Sequence, residues 1–151
     1  MVTGTQERHI ARQRAAVTRS FTVGGAQGYL LTSRCSDGTP ADLRLIMGRP
    51  GTTLHGLLDT VAVAISTGLQ TGIPLATFVR RFADTRFEPA GLTDDPEIPE
   101  VTSVVDYVVR RLALDYLTLE DRVPLDVLTP LERAATRPRH AGPVGWRAGR
   151  S

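Results

Sequence analysis

The sequence contains no lysine and no asparagine, and it has one cysteine and one tryptophan in 151 residues. A single cysteine, Cys35, excludes an internal disulfide and a cysteine-rich zinc site. Aromatic residues make up only 5% of the chain, so the core must be built mainly from Leu, Val, Ile and Ala. No apolar run approaches the ~20 residues a membrane-spanning helix needs. The stretch Met1 to Arg14 is polar and lacks the apolar centre of a signal peptide, which places the expected location in the cytoplasm. The formal net charge is only +2, from 18 basic and 16 acidic residues. That is too small to argue for nucleic-acid binding, despite a pI near 9.2. All 18 basic residues are arginines. Their planar donors suit phosphate and carboxylate recognition, although a GC-rich genome gives the same bias.

What is present fits one domain with a genuine core and a tail at each end. Residues 1–17 read as a flexible basic arm, 18–119 as an α+β domain, and 120–151 as an irregular Pro/Arg-rich tail. Within the domain, Arg19 to Val23 alternates like a strand, with Phe21 and Val23 on one side. Tyr29 to Arg34 and Asp42 to Met47 are further strand runs. The segments Gly24-Gly25-Ala26-Gln27-Gly28 and Asp37-Gly38 punctuate them as turns. Three short runs of this kind predict a small antiparallel meander.

The helical half follows. Leu54, Leu57, Leu58, Val61, Ile65 and Leu69 recur at helical spacing, with Thr52 or Thr53 as N-cap and Gly68 or Gly72 as stop. Pro74 opens a short helix through Arg81, with Leu75, Phe78 and Val79 inward. From Glu100 the pattern Val101, Val104, Val105, Val108, Leu112, Tyr116 and Leu119 predicts a second long helix. The sheet is thus expected to pack against two longer helices and one short one. Beyond Glu120 the prolines break the pattern, and Leu125, Val127, Leu128 and Leu131 leave room for one docked turn.

No catalytic constellation is evident. Cys35 has no histidine nearby in sequence, and His55 lacks metal-ligand spacing. The Gly24 to Gly28 turn is followed by a strand, so it reads as a hairpin rather than a phosphate cradle. Gly48-Arg49-Pro50-Gly51 does precede a helix, which leaves open an anion on the free amides with Arg49 nearby or a plain helix cap. The densest specified chemistry is the loop Arg86-Phe87-Glu88-Pro89-Ala90-Gly91. Arg86 and Glu88 there form either an internal ion pair or a ligand grip. Asp106 and Arg110, at i,i+4, read as a surface pair. The acids of Thr93 to Pro99 read as solvated surface. Arg86, Phe87, Glu88, Arg110, Arg111 and Arg49 are the candidate ligand- or partner-binding residues.

Three blocks carry a family resemblance: RSFTVGGAQGY, DTVAVAISTGLQTGIPL and RRFADTRFEPAGLTDDPEIPEVTSVVDYVVRRLALDYL. Together, over roughly Arg12 to Leu117, the chain resembles the C-terminal region of adenosylcobalamin-dependent (class II) ribonucleotide reductases, the TSCPD domain. Phe87-Glu88-Pro89, Gly91 and Ser103-Val104-Val105-Asp106-Tyr107 form its most specific signature. Those reductases carry a large barrel with the radical cysteine, the cobalamin site and the nucleotide sites, followed by a cysteine-rich tail. One cysteine cannot serve both radical chemistry and a redox pair, so the resemblance transfers no catalytic residue to any position here. It implies an accessory or regulatory module without its own active site, binding no cofactor itself. Its partner would be a reductase barrel chain or a nucleotide. The other reading it allows is one subunit of a split reductase. A homodimer is left open.

Overall fold

A computed structural model describes residues 16–138. Its fold is the expected α+β arrangement. Strands β1 (Ala16–Val23), β2 (Ala26–Arg34) and β3 (Pro40–Met47) form an antiparallel meander in the order β1-β2-β3. Each strand is two to three residues longer at its start than the alternation of side chains suggested. Most of the basic arm expected at residues 1–17 lies outside the described residues, as does the tail beyond 138.

The β1–β2 turn explains one glycine. Val23 pairs with Ala26 across Gly24-Gly25, whose φ angles are 57° and 83°. Two consecutive positive φ values are what the twist of a two-residue hairpin demands. Gly24 has a second constraint. A Cβ there would lie 2.3 Å from the Ala90 carbonyl oxygen, because the Arg86 to Gly91 loop docks on this turn. The segment is therefore a hairpin and a landing point, not an anion cradle. Gly24→Ala is expected to destabilise the protein by more than 1 kcal/mol, since both its φ and its space are incompatible. Urea unfolding monitored by circular dichroism measures this.

Helix α1 (Thr53–Gln70) starts at the expected cap, where Thr52 Oγ1 accepts from the His55 amide. It runs along the edge of β3. Ser66 Oγ accepts from the Leu43 amide and donates to the Leu43 carbonyl, and Gln70 donates to the Ala41 carbonyl. An edge strand left bare is a site for unwanted pairing, and here two helix side chains satisfy it. Helix α2 (Leu75–Phe82) begins one residue later than expected, with Pro74 as its N-cap.

Helix α3 (Val104–Tyr116) is shorter than its sequence pattern. Ser103 caps it by accepting from the Asp106 amide, so Val101 and Glu100 lie outside it. Those two residues form β5 (Glu100–Val101), which pairs with β4 (Gly91–Leu92). The periodicity misleads because Val101 is buried in the same phase as the helix face that follows. Leu119 is also outside α3. Part of the tail expected to be irregular is helical: α4 (Leu119–Arg122), a 3-10 turn at Val123–Leu125 and α5 (Pro130–Thr136).

One core joins both halves. It includes Phe21, Leu30, Leu45 and Met47 from the sheet, Leu58 and Ile65 from α1, Val79 from α2, and Val104, Tyr107, Val108 and Leu112 from α3. The Tyr107 ring stacks on Phe21 at 4.6 Å between centroids. The carboxyl-terminal segment is fastened by Arg122, whose guanidinium grips Glu132 at 2.8 and 2.9 Å. Glu132 also completes a capping box with Thr129. Hydrogen bonds from Arg122, then from the Thr129 amide, pull the Glu132 carboxyl from 4.5 down to about 2. A depressed folded-state pKa contributes stability that is fully present above the unfolded value and is lost as pH falls through the folded one. Docking of α5 is therefore expected to hold at pH 5 and to weaken between pH 4.5 and about 2. NMR shifts of α5 amides across that range provide the check.

Candidate functional site

The conspicuous loop spans Asp84 to Thr102, and its geometry is set by helix α3. Asp106, in the first turn of α3, is 2% exposed. Its carboxylate accepts from the Asp84 amide at 2.7 Å and the Thr102 amide at 3.0 Å. It also accepts from Arg110 Nε at 2.8 Å. The two amides are the two ends of the loop, so one carboxylate ties its neck shut. Thr102 Oγ1 adds a bond to the Thr85 carbonyl, and the Phe87 amide donates to the Thr102 carbonyl. Arg110 reaches on to Asp84 at 2.8 Å. Asp84 takes φ 65°, an uncommon conformation for a non-glycine residue, and it is held there from two sides.

A second knot lies one helical position on. Arg111, 3% exposed, bonds Asp95 at 3.0 Å, Glu97 at 3.1 Å and Asp115 at 2.7 Å. The Tyr107 hydroxyl donates to the same Asp95 oxygen at 2.9 Å. Burial alone would raise the Asp95 carboxyl, but the hydrogen bond from Arg111, then those from the Glu97 amide and Tyr107, hold it below its ordinary value. Burial and the Asp95 charge push the Tyr107 phenol upward. Burial opposes the Arg111 charge, yet the bonds to Asp115 and Asp95 outweigh it and raise the guanidinium. The far side of the loop then meets the sheet. The Thr22 amide donates to Asp94 at 2.9 Å, and the Gly24 amide to the Leu92 carbonyl at 2.9 Å.

The predicted site residues fall into separate groups. Arg110 and Arg111 point into these two knots, and their donors are taken by carboxylates of the chain itself. The Asp106–Arg110 pair is not a surface pair, because Asp106 is buried. Nor is the acidic turn simply solvated surface, because Asp95 is buried and bonded. The Asp84, Asp95 and Asp106 roles escaped sequence reasoning, since their partners are 12 to 26 positions away or are backbone amides. Arg86 and Glu88 form no ion pair with each other, and both are exposed. Phe87 between them packs partly against the core. The Glu88–Pro89 peptide is cis. Arg49 is exposed on the turn before α1 and is not joined to the loop by any bond among the described residues.

Two open recesses flank Phe87. One, of about 530 Å³, is lined by Arg86, Glu88, Gly91, Glu100 and Thr102 and carries mixed charge. The other, of about 510 Å³, is apolar and lies against α1, with Leu54, Leu57, Val61, Phe82 and Val105 in its walls. Cys35 is buried and has no hydrogen bond to His55. Among the described residues no group of three His, Cys, Asp or Glu is placed to hold a metal. No described helix is long and apolar enough to cross a membrane.

Meander, helices and neck-tied loop define a class: a small α+β domain whose most elaborated feature is a surface loop fastened to α3. The chain belongs to the TSCPD domain family, which matches it over residues 5–116. It is also 45% identical over 126 residues to a vitamin B12-dependent ribonucleotide reductase of Streptantibioticus cattleyicolor, covering 83% of this chain and 21% of that one. A reductase of the same name from Streptomyces avermitilis is 44% identical over 126 residues, covering 83% and 13%. Another from Rhodopirellula baltica is 36% identical over 111 residues, covering 74% and 11%. The chain therefore spans about a fifth or less of these curated relatives. No solved structure matches it. The resemblance to the C-terminal region of cobalamin-dependent reductases is borne out.

Among the described residues the one histidine is His55, whose Nδ1 is closed off from solvent without a hydrogen-bond partner.

Proposed function

We propose that this chain is an accessory binding module of deoxyribonucleotide synthesis. It acts in the cytoplasm, has no active site or corrinoid of its own, and engages a ribonucleotide reductase polypeptide. The observation that carries this reading is the contrast within one loop. Its neck is tied by buried Asp106, yet Arg86 and Glu88 beside that neck are exposed and without partners among the described residues. A charged pair presented on a rigid support costs little ordering entropy on binding. Arg86 offers the bidentate donor geometry that carboxylates and phosphates accept. Phe87 supplies the apolar contact between the two charges.

The test is sedimentation of the purified chain with the vitamin B12-dependent reductase of the same cell, with and without nucleotides. Co-sedimentation that Arg86→Glu weakens at least tenfold, with unchanged melting temperature, is the expected result. The chain alone is expected to form no deoxynucleotide from a ribonucleotide and adenosylcobalamin. Turnover by the chain alone would overturn the reading. Turnover that appears only when a second chain is added would instead favour a subunit of a split reductase. A thermal-shift series with nucleotides separates direct nucleotide binding, since a ligand of the folded state raises the melting temperature.

A further inference from the structure

Helix α1 carries a surface that the binding reading leaves unused. It has 18 residues, and Asp59 is its only charged side chain. Helices of soluble domains normally oppose an apolar stripe with a polar one. Here the outward arc is Gly56, Leu57, Thr60, Val63, Ala64 and Thr67, with no charge on it. Leu57 is 60% exposed and Val63 58% exposed. One flank of the arc is the apolar recess beside Phe87. The other flank is a polar recess that contains Asp59, Arg44 and Val63. Both Asp59 and Arg44 are exposed, and neither has an ion pair or hydrogen bond among the described residues.

Register fixes where those two charges stand. Gln70 bonds Ala41 and Ser66 bonds Leu43, so helix and strand run antiparallel, four helix residues matching two strand residues. Arg44 is thereby level with residue 64 of the helix. Asp59 is one and a half turns toward the N-terminus on the same flank. The midpoint between levels 59 and 64 is also the midpoint of the uncharged arc from Gly56 to Thr67.

We propose that α1 is the interface of a homodimer, in which the helices of two copies pack antiparallel about a twofold axis at that midpoint. Such an axis, perpendicular to both helices, keeps like flank beside like flank and reverses direction. Arg44 of one copy then faces Asp59 of the other, twice per dimer. On the opposite flank, Leu57 of each copy stands level with residue 66 of its partner, beside the exposed Ala64. The residues that a self-complementary patch requires are thus present on one helix and its neighbouring strand. A helix of this length is about 27 Å long. With its flanks it makes an interface at the small end of the stable range, so the dimer is expected to dissociate at micromolar concentration.

The proposal is tested by sedimentation velocity of the full chain from 1 to 200 µM, about the range over which such an interface titrates. A monomer–dimer equilibrium is expected. Leu57→Glu is expected to give monomer throughout, with the wild-type melting temperature at the low end of the range, where both are monomeric. Arg44→Asp and Asp59→Arg each place like charges opposite one another and are expected to weaken the dimer at least tenfold. An equimolar mixture of the two single variants restores both pairs in a heterodimer and is expected to regain wild-type affinity. That rescue cannot arise within one chain. A monomer at every concentration, a larger oligomer, or a mixture that stays as weak as its components would overturn the assignment. The variants used here change no residue of the Arg86 loop, and Arg86→Glu changes none of the dimer residues, so the two readings are tested by separate variants.

Discussion

Replacing Arg111 with alanine is expected to cost about 3–5 kcal/mol, the usual penalty for removing one partner of a buried ion pair. At about 2–4 °C per kcal/mol for a chain of this size, the melting temperature should fall by roughly 6–20 °C. Arg111 bonds Asp95, Glu97 and Asp115 at once. Its loss leaves Asp95, 8% exposed, with a buried charge and only the Tyr107 hydroxyl and the Glu97 amide for partners. Arg111→Lys should recover little, because an ammonium cannot reproduce a fork aimed at three carboxylates. Tyr107→Phe removes one donor to the same oxygen and should cost about 1–2 kcal/mol. Chemical denaturation of the three variants at pH 7 gives the ranking. A wild-type midpoint for Arg111→Ala would mean that water, not Arg111, neutralises the Asp95 charge.

The second large effect is expected at Asp106. Asp106→Ala orphans the Asp84 and Thr102 amides and removes one of the two carboxylates that hold Arg110. At about 1–3 kcal/mol for each buried group left unpaired, the two amides together should cost roughly 2–6 kcal/mol. The signature that separates this variant from a general loss of stability is local. Hydrogen exchange at Asp84, Phe87 and Thr102 should accelerate by far more than at Leu30 or Leu45 in the sheet. If the loop acts as a binding element, Asp106→Ala should also weaken reductase binding without touching any residue of the contact. Uniform acceleration throughout the chain would show that the carboxylate supports the fold as a whole rather than the neck of the loop.

These two aspartates mark the boundary of what the sequence reveals. The meander was legible because its signals are local: Gly24-Gly25 and Asp37-Gly38 at the turns and alternation within each strand. Helix α1 was legible for the same reason, and of its two candidate caps, Thr52 and Thr53, the first is the one used. The start of α3 was not, because burial of Val101 in β5 mimics a helical spacing. The decisive signal was Ser103 with Asp106 three residues on, an N-cap preceding the apolar run. The tail carried the same kind of sign at Thr129-Pro130-Leu131-Glu132, a capping box, and the neighbouring prolines hid it. The candidate site was legible only in part. Arg110 and Arg111 looked available because their carboxylates are mostly supplied by other segments, and such pairings exist only once the chain has folded. Arg86 and Glu88, two positions apart, left an internal pair and a ligand grip both open, and in the structure each faces solvent.

The seam between Thr22–Gly24 and Leu92–Asp94 has a consequence for assembly order. It joins positions 72 apart, whereas the hairpin turn it rests on closes over two residues. Closing a long arc is entropically uphill until its contacts are made, so the hairpin is available as a template before the loop arrives. The amino-terminal meander with α1 and the carboxy-terminal helices then behave as two cooperating fragments. A nick in the exposed connection near Ile73 would leave two pieces with a shared, unfinished core, each needing the other to complete it.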